Sequence, residues 1–367
     1  MLESDIEGET DSSLTFPGKI AVITSYLTQS EDDFHSADYL LAKYGPGKIL
    51  HSTLPINFVT DRKQVIDITL QLGKDKDLKV LIFNQAAPGT NAAIEKIRET
   101  RDDIFIVSCT IHESVIETSK LANLILSTND RNMGSAMLKQ AKKQGAKVFI
   151  YYSFPRHMAM ERHIHLRKGI SETCTSEGIQ FIDVTALDPT EVGIEQAHKF
   201  IHDSVPKLAA AYGEDTAFFC TNCNLQAPLI KAVVNCHAIY PQPCCPSPYH
   251  GFPEAFGIDK NKGRSDLHYL IDETSRIVKE KHMTDRLSSW PVSASAMFTS
   301  ASAEYGLKWA KSEVQKKGID DDVLLDCMND YIEKIVGERS CIFMNSHSEN
   351  GVTYHNCKLL LMGYLDY

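Results

Sequence analysis

This chain has no excess of positive charge: 48 acidic residues stand against 38 basic ones, a formal net charge of -10. Such a surface repels phosphate backbones at long range, so direct nucleic-acid binding is not expected. Long apolar runs are lacking as well, and none approaches the roughly 20 residues needed to span a bilayer. No membrane span is expected. The opening residues, MLESDIEGETDSS, are acidic and poor in apolar side chains, the opposite of a secretory signal with its basic start and hydrophobic centre. A cytoplasmic location follows as the expectation. An exported lipoprotein that has lost its signal would begin the same way and is the alternative.

Signatures of nucleotide chemistry are missing too. Neither G-x-G-x-x-G nor G-x-x-x-x-G-K-[ST] occurs, and the strand-to-helix turns carry no clustered glycines. A G-x-S-x-G nucleophile elbow is also lacking. No cofactor and no catalytic residue are assigned. The enzyme alternative is a racemase or hydrolase type using a cleft carboxylate or cysteine, Cys109 or Cys223, beside a base. A structural partner-binding protein is the third reading.

What is present is an ordinary globular composition: 43% hydrophobic residues, 23% charged and 14 prolines in 367 residues. That length exceeds what one core usually organises, so two domains are expected. KIAVIT at 19–24 is a β-branched run suited to a strand buried on both faces. Ser30 then caps a helix over 31–44, ended by Gly45 and Pro46. The alternation continues with strands at 48–54, 79–85 and 104–110, a helix from a Thr60 cap through Gln71, and another over 92–99. Strand and helix in series imply parallel pairing with right-handed crossovers.

A second unit opens after LILSTNDRN with a helix over 133–144. Strands follow at 147–153, 179–185 and 216–222, with helices over 161–177, 194–212 (interrupted near Pro206) and 226–234. The five prolines of YPQPCCPSPYHGFPEAFG, 240–257, exclude regular structure there. Helices are expected near 266–281, 301–317 and 323–336, then an apolar, hairpin-like tail ending KLLLMGYLDY.

KIAVITS with its long helix, ILSTNDRNMGSAMLKQAKKQGAKVFIYYS, and AFFCTNCNLQAPLIKAV resemble the opening, first crossover and ligand-contacting strand-loop-helix of the type I periplasmic-binding-protein-like superfamily, which includes solute receptors and the sensor domains of sugar repressors. Within that superfamily the chain is most similar to a bacterial family of unknown function. The resemblance implies two doubly wound, Rossmann-like α/β domains with parallel sheets and a ligand cleft between them. The first domain would run over 17–128, completed by helices near 295–336; the second would cover 129–294, leaving 337–367 as a tail. The implied function is binding or sensing of a small polar molecule by domain closure. Repressors of the group carry a helix-turn-helix segment, whereas 16 residues precede Pro17, so a regulatory sensor without its own DNA-binding domain is expected.

Open parallel sheets bind ligands outside the carboxyl ends of their strands. That rule selects Ser25, Tyr26, Asn84, Gln85, Thr110 and His112 in the first unit, with nearby Phe34. In the second it selects Ser153, Phe154, Arg156, Asn222 and Asn224. Tyr26, Phe34 and Phe154 offer flat apolar faces, the amides offer paired donors and acceptors, and Arg156 offers a fork for a carboxylate or phosphate. A loop-capping role fits Ser25, Thr110 and Ser153 equally well. The expected partner is a sugar, a nucleoside or a carboxylate-bearing molecule; a homodimer or protein partner stays open.

Zinc is the rival for Cys220, Cys223, Cys236, His237, Cys244, Cys245 and His250. A zinc knuckle would need Cys220 on a tight turn, yet it ends an apolar strand, so no metal is expected. The stretch with His157, Met158, Arg162, His163, His165, Arg167 and Lys168 reads as a solvated helix face, with a local basic patch or a metal or acid/base cluster as the alternatives, and His112-Glu113 reads either way, as such a cluster or as a helix start.

Overall fold

The computed structural model describes Phe16 and residues 18–27, 30–265 and 267–367, without the side chains of residues 264 and 265. The acidic leader, Pro17 and Asp266 lie outside the described residues. β1 (Lys19–Thr24), α1 (Glu31–Tyr44), β2 (Ile49–Thr53), α2 (Arg62–Gly73), β3 (Leu78–Phe83), α3 (Thr90–Arg98), β4 (Phe105–Cys109), α4 (Val115–Leu121) and β5 (Leu124–Thr128) alternate along the first third of the chain. β1 pairs in parallel with β2 and β3, β3 with β4, and β4 with β5. The resulting order, β2-β1-β3-β4-β5, reverses direction between β1 and β3.

The chain continues through α5 (Asp130–Lys143), β6 (Val148–Ser153), α6 (Pro155–Met158), α7 (Glu161–Glu177), β7 (Gln180–Thr185), α8 (Pro189–Val192), α9 (Ile194–Tyr212), β8 (Thr216–Cys220) and α10 (Gln226–Asn235). β6 sits centrally, parallel to both β7 and β8. Next come α11 (Phe252–Phe256), α12 (Lys260–Ser265), α13 (Leu267–Glu280), β9 (Ser288–Ser289), α14 (Ala294–Ala310), α15 (Asp321–Val336), β10 (Ile342–Glu349), β11 (Val352–Met362) and β12 (Leu365–Asp366). β11 and β10 extend the large sheet beyond β5, and β12 pairs with β9.

Two compact units result. One takes the chain up to Leu126 with Phe298–Cys327 and Ser346–Lys358; the other takes Ser127–Met297, Met328–Asn345 and Leu359–Tyr367. In the first, Ala21, Ile23, Leu81, Phe83, Ile94 and Ile106 form a core between strands and helices. In the second, Ile150, Tyr152, Phe218, Leu229, Val233 and Phe252 do the same. Burying these contiguous apolar strands is the main force that holds each unit.

Several boundaries differ from those read in the sequence. α2 is capped by Asp61, whose Oδ1 accepts from Gln64 N at 3.1 Å, and not by Thr60, which turns back to Asn57 O at 3.1 Å. α9 runs through Pro206 without interruption. Pro206 lies on the exposed face, so the carbonyl that its missing N–H leaves free is not sealed in the core. α14 begins seven residues before the expected Ala301, because its run of Ala and Ser packs closely with little amphipathic pattern; past its end, Ser312 has φ 62°. Within the proline-rich stretch α11 forms, with Pro253 in its first turn, where a missing N–H costs nothing. The tail is a hairpin turning at Asn350 (φ 51°) and Gly351 (φ 77°), the left-handed pair that a two-residue turn requires.

Candidate functional site

In the first unit, strand order reverses between β1 and β3, the point at whose carboxyl ends open parallel sheets bind their ligands. Ser25 follows β1 there. Its Oγ lies 2.9 Å from Asp33 Oδ2 and 2.8 Å from Gln85 Oε1, while Gln85 Nε2 lies 2.8 Å from His112 Nε2. One hydroxyl proton serves one acceptor at a time, and a half-turn of the Gln85 amide lets it donate to Ser25 instead. Ser25, Gln85, Asp33 and His112 thus form one adaptable polar chain with Ser25 fully buried and His112 exposed.

Asn84, one residue earlier, is committed elsewhere. Its Nδ2 donates to Thr299 Oγ1 at 2.7 Å and reaches Ser36 Oγ at 3.3 Å, tying α1 and α14 to the end of β3. Phe34 stands edge-on to His51 at 5.2 Å. His51 Nε2 lies 2.8 Å from Thr24 Oγ1, and burial holds its pKa below the usual histidine value. The Tyr26 carbonyl accepts from Ser30 N at 3.3 Å. Thr110, exposed after β4, has φ 44°, a left-handed conformation that β-branched residues rarely adopt. Glu113 does not start a helix; its carboxylate accepts from Gly89 N (3.1 Å) and Asn91 N (2.8 Å), anchoring the start of α3. Cys109 is fully buried and its thiol is pushed up to about 12 by burial, which leaves it a core side chain.

In the second unit the reversal falls at β6. Ser153 Oγ lies 3.1 Å from Thr221 Oγ1, which lies 2.9 Å from His157 Nδ1. The His157 ring packs on Phe154 at 4.2 Å and stacks on His163 at 4.5 Å. Burial lowers both histidines to about 4, so each is neutral at pH 7. His157 is buried, and His163 Nδ1 is buried without a partner. The stretch read as a solvated helix face therefore faces inward at these two positions, because α6 breaks the chain direction before α7 begins. His165 stays half-exposed.

Arg156 presents its fork to Asp188, with Nε at 2.7 Å and Nη2 at 2.9 Å, and stacks over Phe154 at 5.2 Å. The bidentate face expected to meet a ligand anion meets the protein's own carboxylate instead. Phe154 is buried in the core. Asn222 caps the turn Cys223–Leu225 by accepting from Asn224 N at 3.0 Å, and the Asn224 carbonyl lies 2.8 Å from His198 Nε2. The sequence reading missed Thr221, although it directly follows β8 and the strand-end rule covers it. Cys223, Cys244 and His250 also come together, with ligand atoms within 4.8 Å of one another.

Parallel α/β units, each with polar side chains gathered beyond the strand ends at its order reversal, define the periplasmic-binding-protein fold. The chain belongs to a family described as proteins of unknown function (DUF3798), which it matches over residues 18–288. An uncharacterized protein of Treponema pallidum (strain Nichols) is 30% identical over 166 residues, 45% of this chain and 77% of that one. A proposed transcriptional regulator from Clostridium difficile 630 superposes with a TM-score of 0.84 at 21% identity, covering 96% of this chain and all of that one. A periplasmic solute-binding protein from Actinobacillus succinogenes 130z with bound D-allose gives 0.52 at 13% identity, covering 83% and 93%. These likenesses show the fold. Among the described residues, no helix is long and apolar enough to cross a membrane.

Proposed function

We propose that this chain binds a small polar molecule, of the sugar, nucleoside or carboxylate class, at the carboxyl ends of its parallel strands. The carrying observation is the Ser25–Gln85–His112 chain at the β1/β3 reversal, whose amide and imidazole can each present a donor or an acceptor. The D-allose bound to the Actinobacillus protein supports a polyhydroxy ligand. Ser153, Thr221 and His157 form a comparable polar group at the strand ends of the second unit. Arg156 keeps a ligand role only through whatever donors Asp188 leaves over. Sensing then works by the ligand stabilising one conformation of the protein over another, without covalent change. A cytoplasmic setting, in which the ten cysteines stay reduced, fits this reading.

The test is a thermal-shift panel of monosaccharides, polyols, nucleosides and carboxylates, followed by calorimetry on any hit. Gln85→Ala and Thr221→Val should each weaken a hit about tenfold or more, the loss of one or two buried hydrogen bonds. If Gln85→Ala alone acts, the ligand is held at the strand ends of the first unit. If neither acts on a folded protein, the strand-end reading is wrong.

A further inference from the structure

The proline-rich stretch brings together side chains that are distant in sequence. Cys223 opens the turn after β8, and Cys244 lies 21 positions further on. Their Sγ atoms are 3.5 Å apart, and Cys244 Sγ is 3.6 Å from His250 Nε2. A tetrahedral zinc ion with about 2.3 Å to sulfur and about 2.0 Å to nitrogen sets its ligands about 3.7 Å apart for two sulfurs and about 3.5 Å apart for sulfur and nitrogen. These two spacings match, and the third, between Cys223 and His250, lies within 4.8 Å. A disulfide needs its sulfurs at about 2.05 Å, so the pair here is two separate thiols.

The surroundings hold these three groups in place. Cys244 is buried within a loop whose Pro241, Gln242, Pro243, Pro246, Ser247 and Pro248 are also buried. That loop is tied down by Ser288 Oγ donating to the Pro241 carbonyl at 2.6 Å and by Tyr364 OH donating to Gln242 Oε1 at 2.5 Å. His250 precedes Gly251, where φ is 84° and any Cβ would meet Gln226 Cβ at 2.8 Å on α10. Only glycine lets the loop approach α10 this closely. Cys223 is exposed, which gives an ion a path in from solvent. Cys245 places a third thiol beside Cys223 and Cys244. Arg162, also beside these thiols, is paired with Asp130 at 3.3 Å.

We propose that Cys223 Sγ, Cys244 Sγ and His250 Nε2 form a binding site for a thiophilic divalent cation of the zinc class, which staples the proline-rich loop to the start of α10. On binding, both thiols release their protons to solvent, and the two thiolates neutralise the dication, so Arg162 faces a site of no net charge. The argument that set zinc aside rested on Cys220; that residue is buried in β8 and takes no part. The site is independent of the ligand-binding reading above.

The experiment uses the full chain, reduced, stripped with EDTA and then titrated with zinc, with bound metal measured by elemental analysis and with cobalt as a spectroscopic probe. One zinc per chain, a cobalt-thiolate charge-transfer band and a rise in Tm are expected. Cys223→Ser and His250→Ala should each weaken binding about tenfold or more, while Cys236→Ser, outside the cluster, leaves it unchanged. Cys223 is exposed, so its substitution spares the core, and circular dichroism checks the fold of each variant. Failure of the folded, reduced chain to take up stoichiometric metal overturns the proposal. So does uptake that survives the Cys223→Ser/His250→Ala pair, or a Cys223–Cys244 disulfide mapped in protein purified with zinc.

Discussion

Arg156 and Asp188 form a two-pronged ion pair, Nε to Oδ2 at 2.7 Å and Nη2 to Oδ1 at 2.9 Å, with the arginine side chain 41% exposed and the aspartate 3%. Asp188 also accepts from Thr190 N and Thr190 Oγ1, so it caps α8 while holding α6. The Arg156 guanidinium keeps its carboxyl well below the usual carboxylate range. Arg156→Ala strands this buried carboxylate and should lower stability by about 2 kcal/mol, between the values for exposed and buried pairs. Arg156→Lys keeps the charge, loses the fork and should cost less. Urea denaturation checks both. An Arg156→Ala protein as stable as wild type would show that the pair carries no weight.

Gly134 on α5 and Gly169 on α7 let these helices touch backbone to backbone. A Cβ at Gly169 would fall onto the Arg131 carbonyl oxygen, and one at Gly134 onto that of Leu166. Gly169→Ala gains about 1 kcal/mol of helix propensity, yet it forces the helices apart at an overpacking cost of about 1–3 kcal/mol. The net expectation is destabilisation. Thr175→Ala, on the exposed side of α7, should gain a few tenths of a kcal/mol and serves as the control. Equal gains in Tm for both variants would contradict the close approach.

How far the sequence reaches depends on which force sets each feature. β1, β3, β4, β6 and β8 were legible because each is a contiguous apolar run buried on both faces, as KIAVIT shows with five of six residues buried. α14 was misplaced because Ala and Ser stripes carry little periodic signal. α4, seven residues long, is too short to show a pattern. Ser25, Gln85 and His112 were legible as strand-end residues because the end of a strand is a local feature. The role of Asn84 in joining α1 to α14, the Arg156–Asp188 pair and the Cys223–Cys244 approach all depend on chain segments meeting from 21 to 215 positions apart. No spacing rule reaches that far.

Lys358 on β11 is buried, its side chain 3% exposed, and its Nζ reaches Asp321 at 2.6 Å and Ser346 Oγ at 3.1 Å. Asp321→Asn leaves a buried ammonium without its counter-charge and should destabilise by about 1–3 kcal/mol, moderated because Asp321 is half-exposed. Lys358→Met removes the charge while keeping the apolar stem, and should be tolerated better. Thermal melts of the two variants and the double variant check this. A double variant no more stable than Asp321→Asn alone would rule out a stranded charge as the cause.

His157 supplies the pH-dependent prediction. Burial, then the positive charges of Arg156 and Arg162, hold it at about 4, with Asp188 pulling the other way. Its Nδ1 faces Thr221 and its ring faces Phe154 and His163. The folded pKa lies below the unfolded value of about 6.5. Between those two values the unfolded chain binds a proton that the folded chain refuses. Stability from this group is therefore fully present above pH 6.5 and is lost as pH falls towards 4, with no further change below. His163, held at about 4 in the same way, adds to the effect. Unfolding free energies measured by urea from pH 7 to pH 4, with EDTA present, should fall along this window. In His157→Gln, where the amide can still meet Thr221, the slope near pH 5 should drop by about one proton. A slope equal to that of wild type would mean that His157 is not held neutral.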